Sequence, residues 1–262
     1  MVDNCTLVAH TDPKSLVSEA YRILRTNIQF SCVDRQMKTF VVTSSNPMEG
    51  KTTTIANLAV TFAQADKRVL LIDCDLRKPQ LHKMFGIPGR EGLTNIIACH
   101  DDYRKYIQKS DVPNLYILPC GTIPPNPSEL LASNTMKQFV LDVSNDYDYI
   151  FMDAPPVGNV TDAAILSTLV DGTILVANSG HISGDALKKA KEALVNVNAN
   201  IFGVVLNKLD KGANRKYYNY NYYYNREYDD GQKKRKKRRN SASQFDDRLS
   251  LSLFSQENRP LV

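Results

Sequence analysis

The sequence predicts an α/β fold in which a doubly wound, mostly parallel sheet carries helices on both faces. Four short apolar segments rich in β-branched residues end in polar or glycine-rich loops, at residues 39–43, 69–73, 149–153 and 173–177. Strands that are apolar along their whole length are covered on both faces, as in a parallel sheet. Helical patterns alternate with these segments, as is typical of α/β proteins.

The leading element is predicted to be an amphipathic helix over residues 13–28. Its apolar stripe consists of Leu16, Ala20, Ile23, Leu24 and Ile28. Further helical patterns cover 52–64, 128–143 and 185–197, and two more strands are expected at 115–118 and 202–206. The apolar periodicity ends after Lys211, so we predict a folded domain over residues 1–212 and a flexible tail over residues 213–262.

Charge is divided unevenly between these two parts. The net charge of +5 separates into −1 for residues 1–213, with 21 Lys and Arg against 22 Asp and Glu, and +6 for residues 214–262, with 12 against 6. A run of seven basic residues lies at 233–239. The basic character therefore belongs to the tail, and the near-neutral body argues against a nucleic-acid-binding domain.

Cysteine usage and hydropathy narrow the class of protein further. The five cysteines are odd in number and have no C-x-x-C spacing, which favours reduced thiols over a disulfide framework or a zinc ribbon. No apolar run approaches the ~20 residues of a membrane span. We therefore expect a cytoplasmic protein, or one that a partner holds at a membrane.

A candidate phosphate-binding loop follows the first strand. Residues 44–52 read Ser-Ser-Asn-Pro-Met-Glu-Gly-Lys-Thr, and a helical pattern follows directly. Such a loop needs inward-facing backbone N–H groups, a lysine for the β- and γ-phosphates and a hydroxyl for Mg²⁺. Gly50, Lys51 and Thr52 supply these parts, although Ser45 replaces the first glycine of the usual pattern. Taken alone, the motif is equally compatible with a surface turn.

Carboxylates at the ends of two other strands support a nucleotide site. Asp73 and Asp75 lie at the end of the second strand, and Asp153 ends the strand 149–153. Open α/β sheets bind ligands beyond the carboxyl ends of their strands, and carboxylates beside a phosphate loop suit Mg²⁺, which keeps several waters. Each aspartate alone is also compatible with a cap on the following turn.

The charges of these side chains predict their roles in phosphoryl transfer. Lys51 is expected to neutralise phosphate oxygens, Thr52 to ligate Mg²⁺, and Asp153 to hold a metal-bound water. Asp73 or Asp75 is expected to take the proton from an attacking hydroxyl or water, and the sequence leaves this choice open.

These motifs resemble those of the bacterial tyrosine kinases, a branch of the deviant-Walker P-loop ATPases related to ParA and MinD. The matching stretches are a Walker A loop at 45–52, a Walker A′ motif at 69–79, a Walker B motif at 150–155, an E-x-x-R-x-x-R helix at 19–25 and a GTIPPNPSELL segment at 121–131. ParA and MinD carry a second lysine five residues before the invariant one, where this chain has Asn46. A kinase therefore fits better than an ATPase of that kind.

The resemblance implies a P-loop NTPase fold that binds ATP and Mg²⁺. The metal ligands that it implies are Thr52, Asp73 and Asp153. The nucleotide-binding residues are Asn46, Met48, Glu49, Gly50, Lys51, Thr52, Thr53 and Asn207. Asn207, at the end of the last strand, is predicted to pair with adenine, although a turn asparagine accounts for it equally well.

The leading helix has a second interpretation under the resemblance. Glu19, Arg22 and Arg25 are spaced by three, so on a helix they can pair within the chain. The resemblance instead implies contact with a neighbouring subunit of a homo-oligomeric ring, in which the tail of one subunit enters the site of the next.

Tyrosines in the tail lie where the resemblance places autophosphorylation sites. They are Tyr217, Tyr218, Tyr220, Tyr222, Tyr223, Tyr224 and Tyr228. A phenol, with a pKa of ~10, needs a base before it becomes a good nucleophile. A low-complexity linker and a stacking surface for nucleic acid are the alternatives. The basic run 233–239 suits a solvated tail, anionic lipid or nucleic acid.

We therefore predict an ATP- and Mg²⁺-dependent protein-tyrosine kinase that autophosphorylates its tail between subunits. The resemblance implies a transmembrane adaptor of the polysaccharide co-polymerase type, whose cytoplasmic end activates the kinase and recruits it to the inner face of the cell membrane. It also implies control of capsular or exopolysaccharide synthesis and export. The alternatives are a ParA/MinD-like ATPase that acts in positioning or assembly, and a non-enzymatic adaptor for which ATP is a structural ligand.

Overall fold

The predicted sheet is present as seven strands in a computed structural model that describes residues 7–32, 36–180 and 184–209. The strands are β1 (Thr39–Ser44), β2 (Val69–Asp73), β3 (Gln108–Lys109), β4 (Leu115–Leu118), β5 (Tyr149–Asp153), β6 (Gly172–Asn178) and β7 (Ile201–Asn207). They lie in the order β3-β4-β2-β5-β1-β6-β7, and every neighbouring pair is parallel except β3 and β4. The doubly wound, mostly parallel α/β fold is therefore confirmed.

Helices cover both faces of this sheet. They are α1 (Val8–Thr11), α2 (Leu16–Ser31), α3 (Lys51–Ala63), α4 (Leu81–Met84), α5 (Leu93–Cys99), α6 (Pro127–Leu131), α7 (Asn134–Asp146), α8 (Asp162–Ser167) and α9 (Gly184–Val195), with a 3₁₀ helix at Tyr103–Lys105. The first four pack on one face and the last five on the other. None of the helices within the described ranges is long and apolar enough to span a membrane.

Successive residues of each strand enter two separate cores, which explains why the strands are apolar throughout. Val41 packs beneath α5–α9, whereas Val42 packs beneath α1–α3, and both are buried. All six residues of β1 are buried. A strand in the middle of a doubly covered sheet therefore has no solvent-facing side, and the interior of β1, Phe40–Val42, is apolar.

The leading helix differs from its prediction in its start and in its buried face. α2 begins at Leu16 because Ser15 caps it, with the Ser15 hydroxyl oxygen accepting a hydrogen bond from the N–H of Ser18. The apolar residues that it buries are Val17, Tyr21, Leu24 and Ile28. Leu16 and Ile23, which were expected in the stripe, are 59% and 38% exposed. The predicted stripe was therefore wrong for these two positions.

The helix predicted over 128–143 is divided into two. α6 ends at Leu131 and α7 begins at Asn134, because Ser133 accepts a hydrogen bond from the N–H of Met136 and starts a new helix. The boundary between folded domain and tail, predicted at residue 212, lies outside the described residues and stays a prediction.

Candidate functional site

The predicted phosphate loop lies between β1 and α3. β1 ends at Ser44 and α3 begins at Lys51, so residues 45–50 form the loop. Gly50 has a φ of +90°, in the left-handed region, and a Cβ at this position would lie 2.1 Å from Nδ2 of Asn207. The positive φ favours glycine, and a side chain here would also displace the amide of Asn207. The first N–H groups of α3 have no partner within the helix and are therefore available to an anion.

Glu49 shapes this loop from within. One oxygen of its buried carboxylate accepts hydrogen bonds from the N–H groups of Ser45 and Asn46, at 2.9 and 3.1 Å. The carboxylate therefore holds the half of the loop next to β1, where Ser45 replaces the usual glycine. Met48, at the tip, is 80% exposed with a φ of +65°.

Four of the predicted catalytic and metal-binding residues meet at the mouth of the loop. The Nζ of Lys51 lies 3.0 Å from a carboxylate oxygen of Asp75 and 3.3 Å from one of Asp153. The hydroxyl of Thr52 donates to the other oxygen of Asp153 at 2.6 Å. Burial by itself would lower the pKa of Lys51, but Asp153 and Asp75 together raise it above its ordinary value. The amine is therefore a fixed positive charge among carboxylates.

Asp73 belongs to the same end of the sheet, but its oxygens face the backbone. One oxygen accepts a hydrogen bond from the N–H of Asp75 at 3.3 Å, and the other accepts from the N–H groups of Gln80 and Leu81 at 3.0 and 2.9 Å. Burial, and next the charge of Asp153, raises the pKa of Asp73 to about 7. In this geometry Asp73 organises the loop between β2 and α4.

Between the two aspartates lies a buried thiol. The side chain of Cys74 packs in the apolar core beneath α5–α9, together with that of Cys120, which follows the neighbouring strand β4. Burial raises the pKa of Cys74 well above its ordinary value and that of Cys120 to about 12. Both thiols are therefore protonated at neutral pH.

Asn207 braces the phosphate loop in this geometry. Its Nδ2 donates to the carbonyl oxygen of Glu49 at 3.0 Å, and its Oδ1 accepts from the N–H of Lys208 at 2.8 Å. The Nζ of Lys208 in turn donates to the carbonyl oxygen of Met48 at 3.1 Å. The end of β7 thus holds two consecutive carbonyl groups of the loop, and the pairing of Asn207 with adenine stays a prediction.

An ion pair that the sequence analysis missed joins two loops of the site. The Nε and Nη2 of Arg77 donate to the two carboxylate oxygens of Asp162, at 2.9 and 3.0 Å. Arg77 lies within the Walker A′ stretch, and Asp162 is the first residue of α8. Arg77 could have been noted in the sequence as a cation within the Walker A′ motif. Nothing in the sequence indicated that its partner lies 85 residues away.

The predicted oligomerisation residues make contacts within the chain. Arg22 and Glu19 form an ion pair at 2.8 Å, one turn apart on α2. Arg25 donates to the carbonyl oxygen of Thr61 on α3 at 2.7 Å. Contact between subunits through these residues stays a prediction, and so does the role of Thr53 in nucleotide binding. The seven tail tyrosines, from Tyr217 to Tyr228, lie outside the described residues.

The donors at this site fit a magnesium nucleotide. Lys51 and the start of α3 supply positive charge for phosphate, and Thr52 and Asp153 supply hard oxygen ligands of the kind that Mg²⁺ prefers. Within the described residues, no group of three or more His, Cys, Asp or Glu side chains is arranged to hold a metal by itself. Mg²⁺ is usually held by one or two protein ligands together with phosphate and water, and Thr52 and Asp153 match that number.

Comparison with known proteins places the chain among kinases of this fold. The family described as "AAA domain" matches residues 37–201. The chain is 46% identical over 214 residues to tyrosine-protein kinase YwqD of Bacillus subtilis (strain 168), which covers 81% of this chain and 90% of that protein. It is 37% identical over 196 residues to tyrosine-protein kinase CpsD of Streptococcus agalactiae, covering 74% of this chain and 85% of that protein.

A solved structure gives the same result. The kinase domain of Escherichia coli tyrosine kinase ETK superposes with a TM-score of 0.74 at 32% identity, covering 77% of this chain and 79% of that chain. The septum site-determining protein MinD of Pyrococcus horikoshii, with a TM-score of 0.57 at 24% identity over 66% of this chain and 71% of that chain, shares the fold alone. The phosphate loop, the strand-end carboxylates and these relatives together lead to one conclusion: the chain belongs to the bacterial tyrosine kinase family, on a P-loop domain of the AAA type.

Proposed function

We propose that this chain is an ATP- and Mg²⁺-dependent protein-tyrosine kinase that phosphorylates the tyrosines of its own tail. The observation that carries the proposal is the cluster of Lys51, Thr52, Asp75 and Asp153 at the mouth of the phosphate loop, in a chain of this family. Bound ATP would supply the phosphoryl group, and Mg²⁺ would neutralise part of the negative charge that its transfer develops.

Each member of the cluster has a defined task. Lys51 exchanges its contacts with the two carboxylates for phosphate oxygens, because its positive charge is already placed at the start of α3. Thr52 and Asp153 would hold Mg²⁺, Thr52 through its hydroxyl and Asp153 through a water. The loop N–H groups and Gly50 let the phosphates approach the backbone closely.

Asp75 is the better candidate for the base that takes the tyrosine proton. All the hydrogen bonds that Asp73 accepts come from backbone N–H groups, and its side chain is completely buried. Asp75 is also largely buried, at 6% exposed, but one of its oxygens contacts Lys51, which would leave the carboxylate when phosphate binds. Departure of Lys51 would free an oxygen of Asp75 to accept the proton of an entering phenol, whereas Asp73 is expected to act through the loop that it shapes.

The substrate and partners follow from family membership and from the tail. We propose that Tyr217–Tyr228 are phosphorylated between subunits of a ring formed through Glu19, Arg22 and Arg25, and that a transmembrane adaptor activates the chain at the inner face of the membrane. Each phosphate adds roughly −1.5 to −2 charges, so four phosphates cancel or slightly reverse the net charge of +6 in residues 214–262. Phosphorylation would then release the tail and dissolve the ring, and this cycle would control capsular or exopolysaccharide synthesis.

One experiment separates the kinase from its alternatives. The full chain is incubated with ATP, Mg²⁺ and the cytoplasmic segment of an adaptor, and phosphotyrosine is located by mass spectrometry. Lys51→Ala is expected to abolish phosphotyrosine formation. The control is Lys67→Ala, at the amino end of β2 and far from the phosphate loop, which is expected to leave it unchanged. Phosphate release without phosphotyrosine would support a MinD-like ATPase, and neither product would support a non-enzymatic adaptor.

The identity of the base and the cycle of the ring have separate tests. Asp75→Asn is expected to remove phosphotyrosine formation while ADP still binds. An active Asp75→Asn variant would assign the role of base to Asp73.

Light scattering of the phosphorylated and dephosphorylated chains tests whether phosphorylation dissolves the ring. Equal masses for the two forms would contradict this.

A further inference from the structure

The ion pair between Arg77 and Asp162 joins two loops of the site, and none of the roles assigned above involves it. Asp162 is completely buried, whereas the Arg77 side chain is 40% exposed. Two parallel N–H to oxygen bonds fix the guanidinium plane against the carboxylate, a geometry that lysine cannot reproduce. A fully buried carboxylate also needs such a partner, because leaving it charged and unpaired is strongly unfavourable.

We propose that Arg77 and Asp162 are positioning residues for phosphoryl transfer. They hold the loop that contains Asp75 against the segment that follows Asp153 in the chain. This inference rests on the proposed kinase function and deepens it. Arg77 lies two residues after Asp75, on the loop between β2 and α4, and Asp162 lies nine residues after Asp153, where α8 begins. The pair therefore joins the loop of the proposed base to the loop of the proposed metal ligand.

The middle of the segment 154–161 is held against the end of β1 and the first residue of the phosphate loop. The N–H of Val157 donates to the carbonyl oxygen of Ser44 at 2.9 Å. A Cβ on Gly158 would lie 2.3 Å from the carbonyl oxygen of Ser45, so the two backbones are in close contact there. With Arg77 and Asp162 at its far end, this segment spans from the phosphate loop to the loop of Asp75.

The Asp75 loop has its own anchors, but these are internal. Asp73 accepts from the N–H groups of Gln80 and Leu81, and Asp75 accepts from the N–H of Lys78 at 3.0 Å. These bonds fix the shape of the loop. Its position relative to the segment after Asp153 depends on contacts between the two, and the bidentate ion pair is a side-chain contact of this kind.

The expected consequence is a loss of transfer rate with nucleotide affinity retained. The groups that face the nucleotide phosphates come from the phosphate loop and α3, neither of which contains Arg77 or Asp162. A displaced base acts on the chemical step, where a misplacement of about 1 Å costs up to about a hundredfold in rate. The pair should therefore affect kcat and leave the KM for ATP and the affinity for ADP nearly unchanged.

Arg77→Lys and Asp162→Asn test this inference against a matched control. The control is Arg104→Lys, which breaks another Arg–Asp pair, with Asp146 at 2.8 Å, on the 3₁₀ helix. In the full chain with ATP, Mg²⁺ and the adaptor segment, both test variants should lower kcat for phosphotyrosine formation about tenfold or more. ADP affinity and the KM for ATP should stay within about twofold of the wild-type values, and Arg104→Lys should match the wild type throughout.

Hydrogen exchange gives a readout that does not depend on activity. Amides in residues 74–81 and 154–161 should exchange faster in Arg77→Lys than in the wild type, with α3 unchanged and with no such effect in Arg104→Lys. Unchanged exchange and unchanged kcat would overturn the inference, and so would an equal loss of ADP affinity and kcat. If the wild type is active and Arg77→Lys is equally active, this inference is refuted but the proposed function is not. If the wild type forms no phosphotyrosine, the proposed function itself is refuted.

Discussion

The brace formed by Asn207 leads to a quantitative prediction for Asn207→Ala. The substitution removes the hydrogen bond from Nδ2 to the carbonyl oxygen of Glu49, made at 3.0 Å by a side chain that is 5% exposed. A buried hydrogen bond of this kind contributes about 1–1.5 kcal/mol, and 1.4 kcal/mol corresponds to about tenfold in affinity. If the bond holds the loop in its binding conformation, nucleotide affinity should fall roughly fivefold to tenfold.

Base selectivity distinguishes this brace from a contact to adenine. A brace acts on the phosphates, so ADP and GDP should weaken by the same factor in titrations of the full chain with each nucleotide. Asn178→Ala is a matched control, because Asn178 is the register neighbour of Asn207 at the end of β6. A loss for ADP alone, with GDP unchanged, would refute the reasoning and establish the adenine contact instead.

Three further predictions concern the same site. Lys51→Met removes the cation beside Asp75 and Asp153. It should lower the free energy of unfolding of the nucleotide-free chain by about 3–5 kcal/mol, measured by denaturant unfolding. An unchanged denaturation midpoint would mean that these carboxyl groups are neutral. Gly50→Ala imposes a side chain at a φ of +90° and should cost about 1–3 kcal/mol and abolish ADP binding; an ADP titration like that of the wild type would contradict this. The pKa of Asp73, raised to about 7, means that folding takes up a proton between pH about 4 and about 7, and the stability from that proton is lost as the pH rises through about 7. The stability of Asp73→Asn relative to the wild type should therefore increase as the pH rises from about 4 to about 7, and a stability difference that does not change with pH would argue against this assignment.

Six of the seven strands were predicted to within one residue because their apolar residues are buried on both faces of the sheet, whereas the two-residue strand β3, which is partly exposed, was missed. β2, β4 and β5 have the bounds that their apolar segments predict. Helices of four to seven residues, such as α4, α5 and α8, were missed, since so short a helix shows little periodicity. In α2 two apolar faces compete, and only the packing on α3 decides that Tyr21 is buried and Ile23 is not.

The site was predictable where it depends on topology and unpredictable where it depends on loop conformation. Parallel strands bring Asp75 and Asp153 to one edge of the sheet, so their approach to Lys51 follows from the order of elements. The contacts of Asp73 with three backbone N–H groups, and the pairing of Arg77 with a distant aspartate, depend on how the loops turn. Sequence spacing contains no information about such turns unless glycine or proline fixes them.

The buried thiol between the two aspartates has a consequence for redox chemistry and labelling. Thiolates, not thiols, react with peroxides and alkylating reagents, so Cys74, whose pKa is raised well above its ordinary value, is protected chemically as well as sterically. Of the cysteines in the described residues, Cys99 at the end of α5 is the exposed one. An alkylating fluorophore should therefore mark Cys99 in preference to the thiol beside the carboxylates, and kinase activity should survive mild oxidants that damage enzymes with a low-pKa active-site cysteine.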